Sequence, residues 1–369
     1  MNKYDFMNEL DTENICEDLI VKLKENKLPL ILWGCGDVAD AVYNYLTINN
    51  ISISQVWVEK CSEPSNFHGL IPKSMQEILA DYQKFNVILG HSHYEKGEEI
   101  IELYPQIQNV YYVFSVHYEQ YNKVAYSEIE KEADRFVQLC NNLADNISKE
   151  NLFAYLNTKL TGDAAHIINV YSQELTFFNN DVYRVSEQET FLDIGAYNGD
   201  TIRDFISETN NSYKKIIAIE PDVKNFIDLN RYLAERRLRR VVPSMIGAWN
   251  CNEKLTFNTG NEQISSVAQG SDILKDSNKL TISAAPIDDV FGEENITLIK
   301  INYFEGVLEA LEGCEKIIRK NHPKLAVTVG FDIYNILKIS EYISNLNVNY
   351  KLYLRFNRAM SSTFTLYAV

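Results

Sequence analysis

Short apolar runs alternate with helix-like segments along the first third of the chain. An apolar stretch at residues 28–33 ends in the turn Gly34-Cys35-Gly36 and leads into an amphipathic segment. Further runs rich in β-branched and aromatic residues follow at 56–58, 86–89 and 110–113. Alternating strands and helices are typical of a parallel sheet with crossover helices. The pattern therefore predicts an N-terminal α/β domain within residues 1–118.

The same alternation returns after residue 188. Apolar runs there predict seven strands, at residues 191–194, 216–220, 241–246, 298–301, 325–329, 350–355 and 363–368. Residues 127–173 instead show long helical periodicity with very few prolines or glycines. We therefore predict an α/β protein with two Rossmann-like domains, residues 1–118 and 189–369, joined by a helical connector at residues 119–188.

Charge and composition narrow the classes of partner. The chain has 51 acidic and 35 basic residues and a formal net charge of −16, which repels nucleic acid and anionic lipid surfaces. No apolar run approaches the roughly 18 residues of a membrane span, and the N-terminus lacks the pattern of a signal peptide. The six cysteines form no C-x-x-C pair and indicate thiols in a reducing compartment. We expect a cytoplasmic protein with a small-molecule partner, without nucleic acid or membrane.

A glycine-rich turn follows the strand at residues 191–194. Such a turn, between a strand and a helix, lets backbone N–H groups approach a ligand closely. Asp193 and Asp200 flank the glycines, which disfavours a pyrophosphate and favours a cationic cofactor such as S-adenosylmethionine, with its ammonium and sulfonium groups. The candidate cofactor residues of this loop are Asp193, Gly195, Ala196, Tyr197, Asn198, Gly199 and Asp200. The alternative is that the turn is only a tight connection.

The ends of the next two predicted strands carry further candidates. Glu220, followed by Pro221 and Asp222, stands where an acid can accept hydrogen bonds from ribose hydroxyls. Gly247, Ala248 and Trp249 follow the third strand. Trp249 is compatible with packing against adenine and equally with a place in the core. Two acids at consecutive strand ends carry most of the case for a cofactor site.

Several stretches of the C-terminal half follow one family's pattern. They are the D-x-G-A-x-x-G-D loop at residues 193–200, Ile219-Glu220-Pro221-Asp222, and the run from Lys300 to Gly313. On these residues, positions 189–369 resemble the FkbM family of S-adenosylmethionine-dependent methyltransferases. The resemblance implies a seven-stranded methyltransferase-type sheet, S-adenosylmethionine as cofactor, and O-methylation of a sugar or another small hydroxylated metabolite.

The acceptor side departs from that family's pattern. Its K-x-D-x-E-G-A-E segment, aligned without gaps, places Asn302, Phe304 and Val307 on the three acids. Two family histidines correspond to Phe331 and Phe356, and an acid near the last strand corresponds to Thr363. Carboxylate and imidazole can take a proton from a hydroxyl, whereas amide and phenyl groups cannot.

Two interpretations of these replacements stay open. A local shift in the loop would let Glu305 replace a lost acid, so the catalytic candidates are Glu305, Lys300 and Asn302. An acceptor acidic enough to need no base would also permit turnover. The alternative is a degenerate methyltransferase that binds S-adenosylmethionine or a nucleotide-sugar without efficient turnover.

The N-terminal domain has a second, nucleotide-type candidate site. Gly34, Gly36 and Ala39 follow a strand and open a helix, and Glu59 ends the next strand. Asp37 beside the turn would repel a pyrophosphate. Three roles stay open for this site: binding of NAD, binding of a nucleotide-sugar, and a structural role in a homodimer. An NAD-dependent oxidoreductase is disfavoured, because the predicted domain has no recognisable Tyr-x-x-x-Lys pair after its glycine turn.

A metal site is not predicted from this sequence. His91 and His93 are the one pair of closely spaced histidines. Two histidines without an accompanying acid or cysteine make a poor ligand set. We therefore interpret them as part of a loop that faces solvent.

Overall fold

The computed structural model describes residues 1–12, 15–59, 66–91, 93–112, 124–261, 264–267, 279–303, 305–358 and 363–369. These residues form two compact units. The first unit contains Met1–Asn141 and Lys149–Ser172, together with Arg358. The second unit contains Asn142–Ser148 and Gln173–Asn357, together with the residues from 363 onward.

The first unit is built on a four-stranded sheet. Its strands are β1 (Leu30–Trp33), β2 (Gln55–Trp57), β3 (Phe85–Leu89) and β4 (Ile107–Tyr111). All neighbouring strands are parallel, in the order β2-β1-β3-β4. Every residue of β1, β2 and β3 is buried, because parallel strands are covered on both faces. This burial explains why these strands are mostly apolar, with Gln55 and Asn86 as buried polar exceptions.

Nine helices surround this sheet or continue the chain beyond it within the described residues. They are α1 (Lys3–Asn8), α2 (Ile15–Glu25), α3 (Asp37–Ile48), α4 (Met75–Asp81), α5 (Lys96–Leu103), α6 (Tyr126–Lys131), α7 (Ala133–Asn142), α8 (Asn146–Thr161) and α9 (Ala165–Ile168). The predicted connector contains α6 to α9. Most of these helices fall in the first unit, and residues 142–148 fall in the second.

The second unit is built on a seven-stranded sheet, as predicted. Its strands are β5 (Thr190–Ile194), β6 (Lys215–Ile219), β7 (Val241–Ser244), β12 (Leu298–Ile301), β13 (Lys324–Thr328), β14 (Leu352–Phe356) and β15 (Phe364–Ala368). The strand order is β14-β15-β13-β12-β5-β6-β7. Only β15 runs antiparallel to its neighbours. The predicted α/β class with two sheets of this kind is confirmed.

Helices connect the strands of the second unit. They are α10 (Asp200–Glu208), α11 (Val223–Arg236), α12 (Ile287–Phe291), α13 (Val307–Glu312), α14 (Glu315–Asn321) and α15 (Ile333–Asn345). Phe191 of β5 and Phe205 of α10 stack with their ring centroids 4.7 Å apart in the core. This contact fixes the helix that follows the glycine-rich turn against its strand.

A small second sheet in this unit was not predicted. It consists of β8 (Gly247–Ala248), β9 (Glu253–Asn261), β10 (Ile264–Val267) and β11 (Lys279–Ala285), in the order β10-β9-β11-β8. Only Leu255, Ile282 and Ala284 of its described side chains form a buried apolar cluster, with Trp249 packed against it. Its strands alternate apolar with polar residues, as Leu255 and Phe257 do with Thr256, and so lack the continuous apolar runs on which the other strands were predicted.

Candidate functional site

The candidate cofactor residues meet at one edge of the seven-stranded sheet. From β5 the chain proceeds through β6 to β7 on one side, and then returns to β12 on the other side of β5. Open α/β sheets bind ligands outside the carboxyl ends of their strands at such a reversal. The loops that follow β5, β6 and β12 therefore border the candidate site.

The glycines of the turn after β5 are required by close packing. Gly195 has a φ of +78°, and a Cβ there would lie 2.5 Å from the carbonyl oxygen of Asn302. Gly199, the N-cap of α10, has a φ of +85°, and its Cβ would lie 2.9 Å from the Tyr232 ring. Both positions exclude other residues, because L side chains avoid this backbone region. The turn is thus pressed against the end of β12.

Several N–H groups of this turn donate within the protein. Those of Gly195 and Ala196 both donate to the carbonyl of Ile219 at 3.0 Å, and that of Gly199 donates to Ala196. The Tyr197 N–H donates to Glu220 at 2.8 Å. The carboxylate of a bound amino acid would therefore depend on other donors than these four.

Asp193 lies inside the strand and is paired with Lys300. The two residues are directly opposite in the register of β5 and β12. Lys300 Nζ donates to Asp193 Oδ1 at 2.8 Å and to the carbonyl oxygen of Gly195 at 2.7 Å. Asp193 Oδ2 is buried and has no hydrogen-bond partner. Burial raises the pKa of Asp193, and the charge and hydrogen bond of Lys300 oppose that shift.

Glu220 follows β6 and is almost completely buried. Its Oε2 accepts from Tyr197 N–H and its Oε1 accepts from Asp222 N–H, both at 2.8 Å. Burial raises the pKa of Glu220 to about 7, although both backbone hydrogen bonds lower it. Asp222 in turn caps α11 by accepting from Asn225 N–H at 2.9 Å. Pro221 is buried between them.

The remaining loop residues lie nearer the surface. Asp200 is exposed, and its carboxylate accepts from the N–H of Thr201. Asn198 is held by Arg203, whose Nη2 donates to Asn198 Oδ1 at 2.8 Å. The Arg203 guanidinium also lies over the Tyr232 ring, 5.0 Å from its centroid. These contacts stabilise the turn from its outer side.

Tyr303 is a residue of this site that the sequence argument missed. Its ring atoms lie 3.2 Å from where a Cβ on Gly195 would stand. Its hydroxyl is buried near the backbone of Ala248 without a hydrogen bond of normal geometry. Burial and the charges of Glu220 and Asp193 raise the pKa of the phenol. The available signal was an aromatic residue three positions after Lys300.

The end of the third strand is packed from both sides. Ala248 is buried in β8, and the Trp249 ring contacts the cluster of Leu255, Ile282 and Ala284. A Cβ on Gly306 would lie 2.4 Å from the Trp249 ring, and one on Gly247 would lie 2.9 Å from Ile282. These contacts hold the partly buried Trp249 ring against the small apolar cluster. Packing of Trp249 against adenine stays a prediction.

The acceptor-side residues are only partly brought together. Asn302 is exposed just beyond β12, and its Oδ1 accepts from the Thr328 hydroxyl at 3.0 Å. Glu305 is half-buried and precedes Gly306, the N-cap of α13 with a φ of +84°. Phe304 lies outside the described residues. Lys300, by contrast, lies inside the sheet with Asp193.

One replaced position, Phe356, and its neighbour Arg355 are buried in the second unit. Phe356 is fully buried and stacks on Phe364, with ring centroids 4.3 Å apart. Arg355 is buried and donates to Asp145 at 2.6 Å and to Ser148 at 2.9 Å. Although burial alone would raise it, the hydrogen bonds from Arg355 and Ser148 lower the pKa of Asp145.

Comparison with known proteins agrees with this geometry. Residues 193–352 match the family model of the methyltransferase FkbM domain. The matched residues lie in the C-terminal half of the chain. The resemblance inferred from the sequence is confirmed.

Solved structures show how far the fold is shared. The methyltransferase FkbM from Methylobacillus flagellatus KT is 18% identical, with a TM-score of 0.67 over 100% of this chain and 98% of that chain. A SAM-dependent methyltransferase from Aquifex aeolicus is 12% identical, with a TM-score of 0.31 over 56% of this chain and 97% of that chain. An SAH-bound methyltransferase from Podospora anserina is 11% identical, with a TM-score of 0.31 over 65% and 95%. No curated protein matches the chain.

The N-terminal candidate residues lie outside the FkbM domain, at the carboxyl edge of the first sheet. Gly34 has a φ of +121°, and its Cβ would lie 2.9 Å from the carbonyl oxygen of Gly90. A Cβ on Gly90 would lie 2.7 Å from that of Ala39. Gly36 is the N-cap of α3, and a Cβ there would meet no atom within 4 Å. Glu59 is exposed and lies 3.5 Å from Lys96 Nζ.

The histidine pair has an acid beside it that the sequence argument overlooked. His93 Nδ1 lies 3.3 Å from Glu95 Oε1, and the rings of His91 and His93 are 6.0 Å apart. Burial, with the charges of His93 and Lys96, lowers the pKa of His91 to about 4. His91 is therefore partly buried against Trp33 and is no solvent-facing loop residue. Across the described residues, no group of side chains is arranged to hold a metal ion.

Over the described part of the chain, no helix is both long and apolar enough to cross a membrane. Cys35, Cys140, Cys251 and Cys314 are free thiols.

Proposed function

We propose that the FkbM domain binds S-adenosylmethionine at the carboxyl edge of β5 and β6 and transfers its methyl group to a hydroxyl of a small metabolite such as a sugar. The observation that carries the proposal is the pair of buried acids at adjoining strand ends. Asp193 keeps one carboxylate oxygen without a partner. Glu220 is held rigidly by two backbone N–H groups.

These acids fit the two ends of the cofactor. The unpartnered Oδ2 of Asp193 suits an ammonium group, since a buried carboxylate oxygen without a donor is costly. Each oxygen of Glu220 accepts one hydrogen bond and retains a lone pair, so it can accept another from a ribose hydroxyl. The bound cofactor would supply an electrophilic methyl group on a sulfonium. The residues supply the orientation on which in-line transfer depends.

The acceptor hydroxyl must lose its proton as the new carbon–oxygen bond forms. A carboxylate can take that proton, whereas an amide can only orient the hydroxyl. Glu305, beside the N-cap of α13, is therefore our candidate for the base, and Asn302 for an orienting group. Lys300 is engaged by Asp193 and Gly195, so we assign it no proton transfer. The net charge of −16 favours a small acceptor over nucleic acid, and we place this reaction in the cytoplasm.

A degenerate methyltransferase is the second candidate. It is supported by the exposed amide of Asn302 where the family pattern has an acid, and by Phe356, which is part of the core. Such a protein would bind the cofactor or a nucleotide-sugar and turn over slowly. The two candidates agree on the cofactor and differ on catalysis.

Calorimetric titration with S-adenosylhomocysteine tests the shared part. We expect binding to the intact chain, and Glu220→Gln should weaken it about tenfold because a charged acceptor is lost. Glu235→Gln, an exposed position on α11, is the matched control and should change nothing. No binding at millimolar ligand would refute the proposal. Transfer of a labelled methyl group to sugar hydroxyls would then separate the enzyme from the degenerate form.

A further inference from the structure

A buried ion pair lies at the centre of the seven-stranded sheet. The side chains of Lys300 and Asp193 are 1% and 0% exposed, and their charged atoms are 2.8 Å apart. Lys300 Nζ also reaches the carbonyl oxygen of Gly195 at 2.7 Å. One ammonium therefore links the strand that carries the acid to the first residue of the cofactor loop.

Stability alone does not account for this pair. Removing two charges from water is expensive, and buried pairs are often replaced by apolar residues without loss of stability. Positions in central parallel strands are ordinarily apolar, as Ile299 and Ile301 are on either side of Lys300. The ion pair therefore needs an explanation other than stability.

The geometry of the carboxylate indicates what that is. Lys300 occupies Oδ1 and leaves Oδ2 buried without a partner. The bond to Gly195 fixes the same ammonium relative to the glycine-rich turn. Asp193 is consequently held in one orientation with one oxygen free.

We propose that Lys300 is a positioning residue, which holds Asp193 so that its free oxygen receives the ammonium of the cofactor's amino acid part. This inference rests on the proposed function. On this proposal, the ion pair makes the site prefer ligands that carry the amino acid part over nucleosides that have only the adenosine and the thioether. Lys300 itself touches neither the cofactor nor the acceptor.

Charge supports the same role. Burial raises the pKa of Asp193, and Lys300 opposes that rise. Without Lys300, the pKa of Asp193 would rise further, so that the ionised carboxylate that attracts an ammonium would be harder to form. The other charge that acts on Asp193 is the Asp200 carboxylate, which raises its pKa further. Asp193 and Glu220 both act on the buried phenol of Tyr303 and raise its pKa.

The experiment compares two ligands on the full chain. Dissociation constants for S-adenosylhomocysteine and for 5′-methylthioadenosine, which lacks the amino acid part, are measured for the wild type, Lys300→Met and Lys300→Gln. We expect either substitution to weaken S-adenosylhomocysteine about tenfold, as for loss of one charged hydrogen bond, and to change 5′-methylthioadenosine less than about twofold. A merely structural role would weaken both ligands alike.

The pH dependence of the ratio adds a second readout. In the variants the preference for S-adenosylhomocysteine should recover as the pH rises and Asp193 ionises, whereas in the wild type it should stay constant. Effects of Glu220 cancel in the ratio, because both ligands carry the ribose. Equal weakening of both ligands, or a ratio unchanged from wild type, would overturn the proposal.

Two other outcomes have separate meanings. If the wild type binds neither ligand, the proposed cofactor site fails, and the positioning role falls with it. If neither variant folds, a structure of the wild type with S-adenosylhomocysteine decides. The ammonium should then lie on Asp193 Oδ2 with Lys300 still on Oδ1, and an ammonium bound elsewhere would overturn the inference.

Discussion

Removal of Lys300 should destabilise the second unit far more than removal of a surface lysine. Lys300→Met leaves the Asp193 carboxylate buried, 0% exposed, without its counter-ion. Breaking one partner of a buried pair costs about 3–5 kcal/mol, a large share of the roughly 5–15 kcal/mol that holds a domain folded. With an m value of about 2 kcal/mol per M, the urea midpoint would fall by about 2 M.

The same substitution at Lys316 is the matched control. Lys316 lies 3.7 Å from Asp289, with the two side chains 79% and 50% exposed, and such surface pairs contribute about 0–1 kcal/mol. The double variant Asp193→Leu/Lys300→Met should recover most of the lost stability, because it replaces the pair by apolar groups. This recovery distinguishes an uncompensated charge from lost packing.

The measurement must report on the second unit alone, because two units need not unfold in one transition. Of the three tryptophans in the sequence, Trp249 lies in the second unit, and Trp33 and Trp57 lie in the first. Trp249 fluorescence in a Trp33→Phe/Trp57→Phe background therefore follows the relevant transition. If Lys300→Met and Lys316→Met lose equal stability, the buried pair does not exist as described. If the double variant is as unstable as Lys300→Met, the charge argument is wrong.

Glu220, Gly195 and Glu305 each give a further testable prediction. Burial raises the pKa of Glu220 from 4.5 to about 7, so this carboxyl holds its proton more tightly in the folded than in the unfolded protein. The free energy of unfolding should therefore fall as the pH rises from about 4.5 to about 7. Affinity for S-adenosylhomocysteine should rise over the same pH interval as Glu220 ionises. Glu220→Gln should remove both pH dependences, that of affinity measured by calorimetry and that of stability measured by urea unfolding. Gly195→Ala should cost more than about 1–2 kcal/mol, the cost of the backbone conformation alone, because its Cβ would also meet the Asn302 carbonyl at 2.5 Å; Gly36→Ala, whose Cβ meets nothing within 4 Å, should cost less than about 1 kcal/mol. Glu305→Gln should lower the rate of methyl transfer by about 10²–10⁴ if Glu305 is the base, while Asn302→Asp should raise it; a rate unchanged in Glu305→Gln would remove Glu305 from the mechanism.

The sequence predicted most strands of the two larger sheets because their apolar runs are buried, whereas β4, which has two exposed residues, begins three residues before the run predicted at 110–113. The strand at residues 298–301 was predicted with the bounds that β12 has, since its residues have no exposed face to break the pattern. The small mixed sheet was missed because its strands alternate apolar with polar residues and lack continuous apolar runs. Strands buried on both faces have mostly apolar sequences that are easy to recognise, whereas the strands of the small sheet do not.

Asp193 and Glu220 were predictable as candidate cofactor residues because each is a local feature of a strand end. The role of Lys300 was not, because its meaning depends on a register between strands that are more than a hundred residues apart in the chain. The same holds for Tyr303, which reaches Gly195 only through the closure of β12 against β5. Pairing across a sheet is set by the whole fold, so side chains that act across it are invisible in a local pattern.

The two glycine turns of this chain show which part of such a motif indicates a ligand. Gly34 is pressed against Gly90 after β3, and Gly195 is pressed against Asn302 after β12. In each sheet, close packing against the end of the neighbouring strand therefore requires the first glycine, whether or not a ligand binds. The difference lies two residues earlier, where the first sheet has Leu32, fully buried in an apolar cluster, and the second has Asp193 with an unpartnered oxygen. A carboxylate is buried at such a cost only where something compensates it, and for this reason the buried acid, rather than the glycine spacing, is the feature that argues for a cofactor in the second unit.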